Sequence, residues 1–296
     1  MSGIAVVVNP TKIPSMEHGR ATLAKELSTF GVTDFSWLPT TAEDTGTGQA
    51  RQAVESGAEM VLSWGGDGTV RSVAMGLLNS EVPLGILPGG TGNLVAKNLN
   101  LPGNLHGAVA VAMGGGAQTI DVNDVDLGDG VQRISLLICG MGLDAAIINS
   151  PERLKAMLGP GAYAAAAMKN LVGKAKPITL TMDNELPRRI PARMALVGNF
   201  GRMQMHVNLF DHASATDGRL AVFVAKLRGL GEVLSTTRGA LLHRASTGKH
   251  SLQLSGKKVE IRTTEPWPRE IDGDLMDPGD YMRVTVLPRA LTVRVR

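Results

Sequence analysis

Four short segments hold the residues whose types and spacing could do chemistry. They are "VVNPTK" at 7–12, "LPTT" at 38–41, "WGGDGT" at 64–69 and "LPGGTGN" at 87–93. Glycine lets a backbone approach a ligand closely, and a helix opening after such a turn aims free N–H groups at what lies there. That arrangement suits phosphate. Asp67 does not, since two negative charges repel, so a cation or a proton between them is implied. The chain lacks G-x-x-x-x-G-K-[ST], so the P-loop solution is absent. The backbones of Gly65, Gly66, Gly68, Gly89, Gly90 and Gly92 take its place, with Asn9, Thr69, Thr91 and Asn93 as neutral hydrogen-bonding groups. Magnesium takes one or two carboxylates plus phosphate oxygens, and Asp67 is placed to hold it.

The elements that must position these residues follow from hydrophobic patterning. "GIAVVVNP", "DFSWLPTT", "EMVLSWGG" and "PLGILPGG" read as strands, with helical periodicity in "SMEHGRATLAKELSTFG", "GTGQARQAVESGA", "TVRSVAMGLLNS" and "LVAKNLNLP". Strands alternating with helices predict βαβ units on a parallel, Rossmann-like sheet. Ligands sit beyond the carboxyl ends of such strands, where all four segments fall.

After residue 120 the texture changes. "TIDVNDVDLGDGVQRISLLIC", "PITLTMDNELPRRIPARMALVGNF" and "KHSLQLSGKKVEIRTTEPWPREIDGD" each read as strand, turn, strand, and "YMRVTVLPRALTVRVR" as two further strands. Helical stretches interrupt at "PERLKAMLGPGAYAAAAMKNLVGKAKP" and "LRGLGEVLSTTRGALLHR". The expected organisation is a nucleotide-binding α/β domain over 1–120, to which strands at about 283–296 are free to return. An antiparallel β-sandwich with inserted helices follows over 121–282.

Composition bounds the rest. The chain has 296 residues, 43% hydrophobic and 19% charged, which fits a folded globular protein. Aromatics at 3% leave few stacking platforms for single-stranded nucleic acid, so no nucleic-acid partner is expected. Cys139 stands alone in an apolar run and reads as a buried small hydrophobe, and Trp37, Trp64 and Trp267 as packing residues. His18, His106, His206, His212, His243 and His250 show no metal-ligand spacing. No basic leader and no apolar run of ~18–20 residues is present, so a cytoplasmic protein or one peripheral on the inner membrane face is expected. Residues 1–120 carry 6 Lys+Arg and 9 Asp+Glu, a net of −3, and residues 121–296 carry 24 and 18, a net of +6. The basic part is suited to an anionic membrane surface.

"VVNPT", "GGDGT" and "LPGGTGNLVAKNLNLP", followed in order by "TIDV", "GMGLDAA", "GPGAYAAA", "DHASATDGRLAV" and "EPWPREIDGD", resemble the diacylglycerol kinase catalytic family. That family includes sphingosine kinases and bacterial lipid kinases. The resemblance implies ATP and Mg²⁺ as cofactors and a lipid hydroxyl as acceptor. It puts Asn9, Pro10, Thr11, Lys12, Thr40, Thr41, Gly65–Thr69, Gly90, Thr91 and Asn93 at the nucleotide. It adds Asp121 to the Asp67 magnesium network, and a structural magnesium at Ser214, Asp217 and the carbonyl of Arg219. Bacterial relatives carry a glutamate base in "DGE". Here the matching residue is Asp274, shorter by one methylene, with Asp272 or Asp67 as the other carboxylates open to that role. Ser72 stands where relatives have Glu, Met75 where they have Asn, Asp211 where they have Pro and Ala221 where they have Asp. An NAD kinase, which shares GGDG, and a catalytically weak lipid- or nucleotide-binding relative are the competing readings. A homodimer is left open.

Overall fold

The computed structural model describes residues 3–142, 175–200, 210, 213–225 and 251–296. The chain divides into two compact units, Met1–Val122 with Pro288–Arg296, and Asn123–Leu287.

The first unit is built on parallel strands β1 (Ile4–Val8), β2 (Ser36–Pro39), β3 (Met60–Gly65) and β4 (Leu84–Pro88). All five residues of β1 are buried, as its unbroken apolar run requires of a strand covered on both faces. Helix α1 (Met16–Ser28) is capped by Ser15, whose Oγ accepts the His18 N–H at 3.3 Å, and buries Gly19, Leu23 and Leu27 at four-residue spacing. Helices α2 (Thr47–Glu55), α3 (Asp67–Gly76), α4 (Leu94–Asn98) and α5 (Leu105–Gly114) follow. Val6, Val8, Leu23, Leu27, Leu62, Trp64, Leu87 and Val109 share the core. Phe35, Trp37 and Trp64 form an edge-to-face series with centroids 6.0 and 6.1 Å apart, so two of the tryptophans are packing residues.

The second unit is antiparallel. Its strands are β6 (Ile134–Ser135), β7 (Ile138–Met141), β8 (Lys176–Met182), β9 (Arg188–Ala192), β10 (Met194–Gly198), β11 (Leu220–Ala225), β12 (Ser251–Gly256) and β13 (Lys258–Ile271). Two long strands, β5 (Gly116–Asp126) and β14 (Asp274–Val295), run through the unit boundaries. The order is β12–β11–β10–β7–β13–β14, with β8 paired to β13 and β9, and β5 to β14 and β6. β13 pairs with β8 over Val259–Thr263 and with β7 over Arg269–Ile271, and its register to β14 shifts on either side of Trp267. Those irregularities turn the strand from one partner to the next, which makes a sandwich rather than a flat sheet. Cys139, Ile178, Leu180, Val197, Val222, Val259, Ile261 and Met282 fill its core.

Two details differ from the sequence reading. The two strands expected in 281–296 are one strand, which continues through Pro288 and through Arg289 at φ +54°. The strand expected after the Gly128–Gly130 turn is split into β6 and β7, because side-chain oxygens take the backbone N–H groups between them, as described below. The two expected inserted helices lie outside the described residues, apart from Ala175, Lys176 and Pro177, the last two of which open β8.

Candidate functional site

In the first unit the four parallel strands end side by side, so their exits share one sheet edge. The exits are tied to one another. Asn9, after β1, donates its backbone N–H to Trp64 O at 2.9 Å, and its Nδ2 donates to Thr69 Oγ1 at 3.0 Å. Its Oδ1 accepts from both N and Oγ1 of Thr11, which shapes the single turn Pro10–Lys12. Thr40, buried, donates its N–H to Val8 O at 2.8 Å, and exposed Thr41 closes its own loop onto Asp44. Gly89 N–H donates to Gly65 O at 2.8 Å, which joins the two glycine loops. Asn93, at φ +48°, closes the second loop on Gly90 through both amide atoms, at 3.0 and 2.6 Å.

The two loops interlock closely. A Cβ on Gly90 would stand 2.7 Å from Gly66 Cα, and one on Gly65 would stand 2.6 Å from the Thr69 side chain. Gly66 is different: its φ is −89°, and a Cβ there would meet only Gly90 Cα at 3.6 Å and Lys12 Cε at 3.9 Å. Neither space nor backbone conformation requires glycine at 66. The same distances bring the Lys12 side chain beside the loop.

Asp67 opens α3, and its Oδ1 accepts the Val95 N–H at 3.0 Å, holding the start of α4. The opening turn of a helix carries N–H groups without partners inside the helix, and one aspartate at such an opening fits a magnesium–phosphate pair. Asp121 does not join it. Its Oδ1 accepts the Arg289 N–H at 2.8 Å. Ala290 O in turn accepts from Asn79, beyond the far end of α3, and Val293 pairs with Leu84 at the start of β4. Asp121 therefore lies level with the amino ends of the parallel strands and Asp67 beyond their carboxyl ends, which corrects the expected Asp67–Asp121 network. Ser72, where relatives have Glu, shares a 2.7 Å hydrogen bond with Thr45, joining α3 to the loop before α2.

In the second unit, residues Ile271–Asp274 form a two-residue hairpin turn between β13 and β14, with Asp272 at φ +51° and Gly273 at φ +89°. Asp272 Oδ1 accepts from Ser135 Oγ (2.8 Å), Leu137 N (2.9 Å) and Ile138 N (3.1 Å), and Oδ2 from Leu136 N (2.9 Å). Those four bonds split β6 from β7 and commit Asp272 to building the turn, which removes it as a base. Asp274 is exposed at the exit of the turn. Glu270, which the sequence reading did not single out, is 5% exposed, and its Oε2 accepts the Gly273 N–H at 2.9 Å. Buried Cys139 lies near these carboxylates. Burial first, then the charges of Glu270 and Asp272, push its thiol well above the usual range, so it is a core residue rather than a nucleophile.

Around Asp217 the loop is closed by its own side chains. Ser214 Oγ contacts Thr216 Oγ1 and accepts the Thr216 N–H, and Asp217 Oδ1 accepts the Arg219 N–H at 2.9 Å. Arg219 is anchored on Ser255 Oγ and O. One carboxylate engaged in its own turn is a meagre donor set for the expected structural magnesium. Among the described residues no group of three or more His, Cys, Asp or Glu stands together as a metal site.

Residues 3–125 match the diacylglycerol kinase catalytic domain, and residues 138–295 match the YegS C-terminal NAD kinase beta sandwich-like domain. The chain belongs to the diacylglycerol kinase catalytic family, a family of lipid kinases. It is 25% identical over 295 residues to a diacylglycerol kinase of Bacillus subtilis (strain 168), covering 96% of this chain and 94% of that protein. A probable lipid kinase YegS-like of Enterobacter sp. (strain 638) is 28% identical over 249 residues, 82% of this chain and 80% of its own. An uncharacterized protein, sll0036, of Synechocystis sp. is 27% identical over 274 residues, 86% of this chain, which spans 61% of that protein's length. A crystal structure of a diacylglycerol kinase from Bacillus anthracis str. Sterne shares the fold, with a TM-score of 0.78 at 23% identity over 99% of this chain and 96% of that one.

Proposed function

We propose that this chain is an ATP- and Mg²⁺-dependent lipid kinase that phosphorylates the free hydroxyl of diacylglycerol or a related lipid. The observation that carries the reading is Gly66, a glycine the fold leaves room to replace, at the centre of two interlocked glycine loops. A phosphate resting on the backbone is the reason to keep a hydrogen there. In this reading the N–H groups at the opening of α3 and the side chains of Asn9, Thr11, Lys12, Thr69 and Thr91 bind and orient the triphosphate, with Gly90 and Asn93 shaping the second loop beside it. Thr40 and Thr41 border it. Asp67 is the residue that would hold magnesium, which supplies charge neutralisation on the phosphoryl oxygens when bound. Asp274 accepts the proton of the attacking hydroxyl.

The basic character of residues 121–296 supports attachment to an anionic membrane surface on the cytoplasmic side. No helix among the described residues is long and apolar enough to cross a membrane. A second reading, a soluble NAD kinase, draws on the NAD kinase-like character of the sandwich domain that the second match names. Transfer of ³²P from labelled ATP decides between them, with extracted cell lipid offered in one arm and NAD in the other. Label in the lipid phase supports the proposal. Label in NAD alone overturns it, and label in neither favours a binding relative.

A further inference from the structure

The β13–β14 turn is held from both sides by carboxylates. Asp272 gathers four donors from Ser135–Ile138, and its own N–H donates to Ile138 O at 2.8 Å. The next amide, Gly273 N–H, is taken by Glu270 Oε2 at 2.9 Å. Residues facing each other across an antiparallel pair share a face, and neighbours along a strand alternate. Ile271 pairs with Asp274, and Glu270 with Leu275 and with Gly140 of β7. Glu270 therefore lies on the opposite face of the hairpin from Asp274 and touches the turn from behind.

A solvent-facing two-residue turn needs no buried carboxylate to form, and burying one is costly unless it is well bonded. The residue after this turn is the one whose placement the turn decides. An aspartate reaches one carbon–carbon bond, ~1.5 Å, less far than a glutamate. A base must come within ~2.6–3.2 Å of the proton's oxygen. A short side chain has little rotamer freedom with which to correct an error in its backbone, and a misplacement of ~1 Å can cost ~10²-fold in rate.

We propose that Glu270 is a positioning residue for Asp274, fixing the turn through the Gly273 N–H so that the shortened base is presented at one place. The inference rests on the lipid-kinase reading with Asp274 as base.

The test measures kcat, KM for ATP and thermal unfolding in a set of variants of the full chain, with lipid as acceptor. Glu270→Ala is expected to lower kcat by ~10–10²-fold with KM for ATP unchanged. Glu270→Gln, whose amide oxygen accepts the same N–H, is expected to stay within a few-fold of wild type. Adding Asp274→Glu to Glu270→Ala is expected to restore most of the rate, because the longer side chain tolerates a looser turn. A purely structural role for Glu270 would give no such rescue. Should Glu270→Ala fail to fold, Glu270→Asp, which keeps the charge but falls short of Gly273, takes its place with the same expectations. Wild-type kcat in Glu270→Ala overturns the inference, as does a Gln variant as impaired as Ala, or a double variant no faster than the single. Asp274→Asn tests the underlying reading separately. If it is fully active, Asp274 is not the base and the inference falls with it. If it is inactive while Glu270→Ala is unimpaired, the inference alone fails.

Discussion

Asp67 Oδ1 accepts the backbone N–H of Val95 at 3.0 Å, so the carboxylate proposed to hold magnesium also ties the first glycine loop to the start of α4. The two roles separate by substitution. Asp67→Asn keeps a carbonyl oxygen for Val95 and removes the charge. It is expected to melt as wild type does and to lose turnover by at least ~10²-fold, since charge neutralisation of the phosphoryl group goes with it. Asp67→Ala is expected to lose both. Near wild-type kcat in the Asn variant, measured beside a melting curve, would sink the magnesium role and leave Asp67 as a loop fastener.

Much of the first unit was legible because each of its strands is a short apolar run ended by a turn signal. The glycine loops were legible for the same reason: Gly65, Gly66, Gly89 and Gly90 cluster where a parallel sheet puts ligands. What escaped depended on contacts remote in sequence. Asp121 looks like a metal ligand in "TIDV", but its partner is Arg289, 168 residues on. The break between β6 and β7 is made by Asp272, more than 130 residues away. Glu270 sat unmarked in "WPREIDGD", because nothing in its local pattern says that one strand residue folds back onto the turn. Pro288 reads as a strand end, whereas the strand continues through it.

The four donors on Asp272 make a stability prediction. Asp272→Ala strands the N–H groups of Leu136, Leu137 and Ile138, all in buried residues, and puts a Cβ-bearing residue without local bonding at φ +51°. Hydrogen bonds to a charged group are worth ~1.5–3 kcal/mol each and are not additive, so a loss of about 2–4 kcal/mol is expected. Asp272→Asn tolerates the backbone conformation and keeps one acceptor, and is expected to lose less. Urea unfolding of both variants checks this; an Ala variant within 0.5 kcal/mol of wild type, roughly the effect of a neutral surface change, would mean that the bonds contribute nothing.

Charge asymmetry makes a prediction about membranes. With a net of +6 on residues 121–296, binding to anionic vesicles is expected to weaken as salt rises, since screening acts over ~8 Å at physiological ionic strength. Sedimentation with anionic and with neutral vesicles at low and high salt measures it. Equal binding to both vesicle types would rule out an electrostatic contribution.

Gly66 and Gly90 give the sharpest test of the nucleotide site, because the protein itself treats them differently. A Cβ at Gly90 would lie 2.7 Å from the backbone at Gly66, so Gly90→Ala must push the loops apart and is expected to lower stability and nucleotide affinity together. A Cβ at Gly66 has its nearest neighbours at 3.6 and 3.9 Å and a φ of −89°, which alanine adopts freely. Replacing glycine where the conformation is compatible stabilises by ~0.4–1 kcal/mol through the unfolded chain. Gly66 is also the N-cap of α3, where alanine is less favourable than glycine, so the two effects offset and Gly66→Ala is expected to melt near the wild-type temperature. If a phosphate rests on that backbone, the same methyl group occupies its place, and KM for ATP is expected to rise at least tenfold while KM for lipid is unchanged. A Gly66→Ala enzyme with wild-type KM for ATP would show that no ligand approaches the loop there, and would remove the observation on which the kinase proposal leans most.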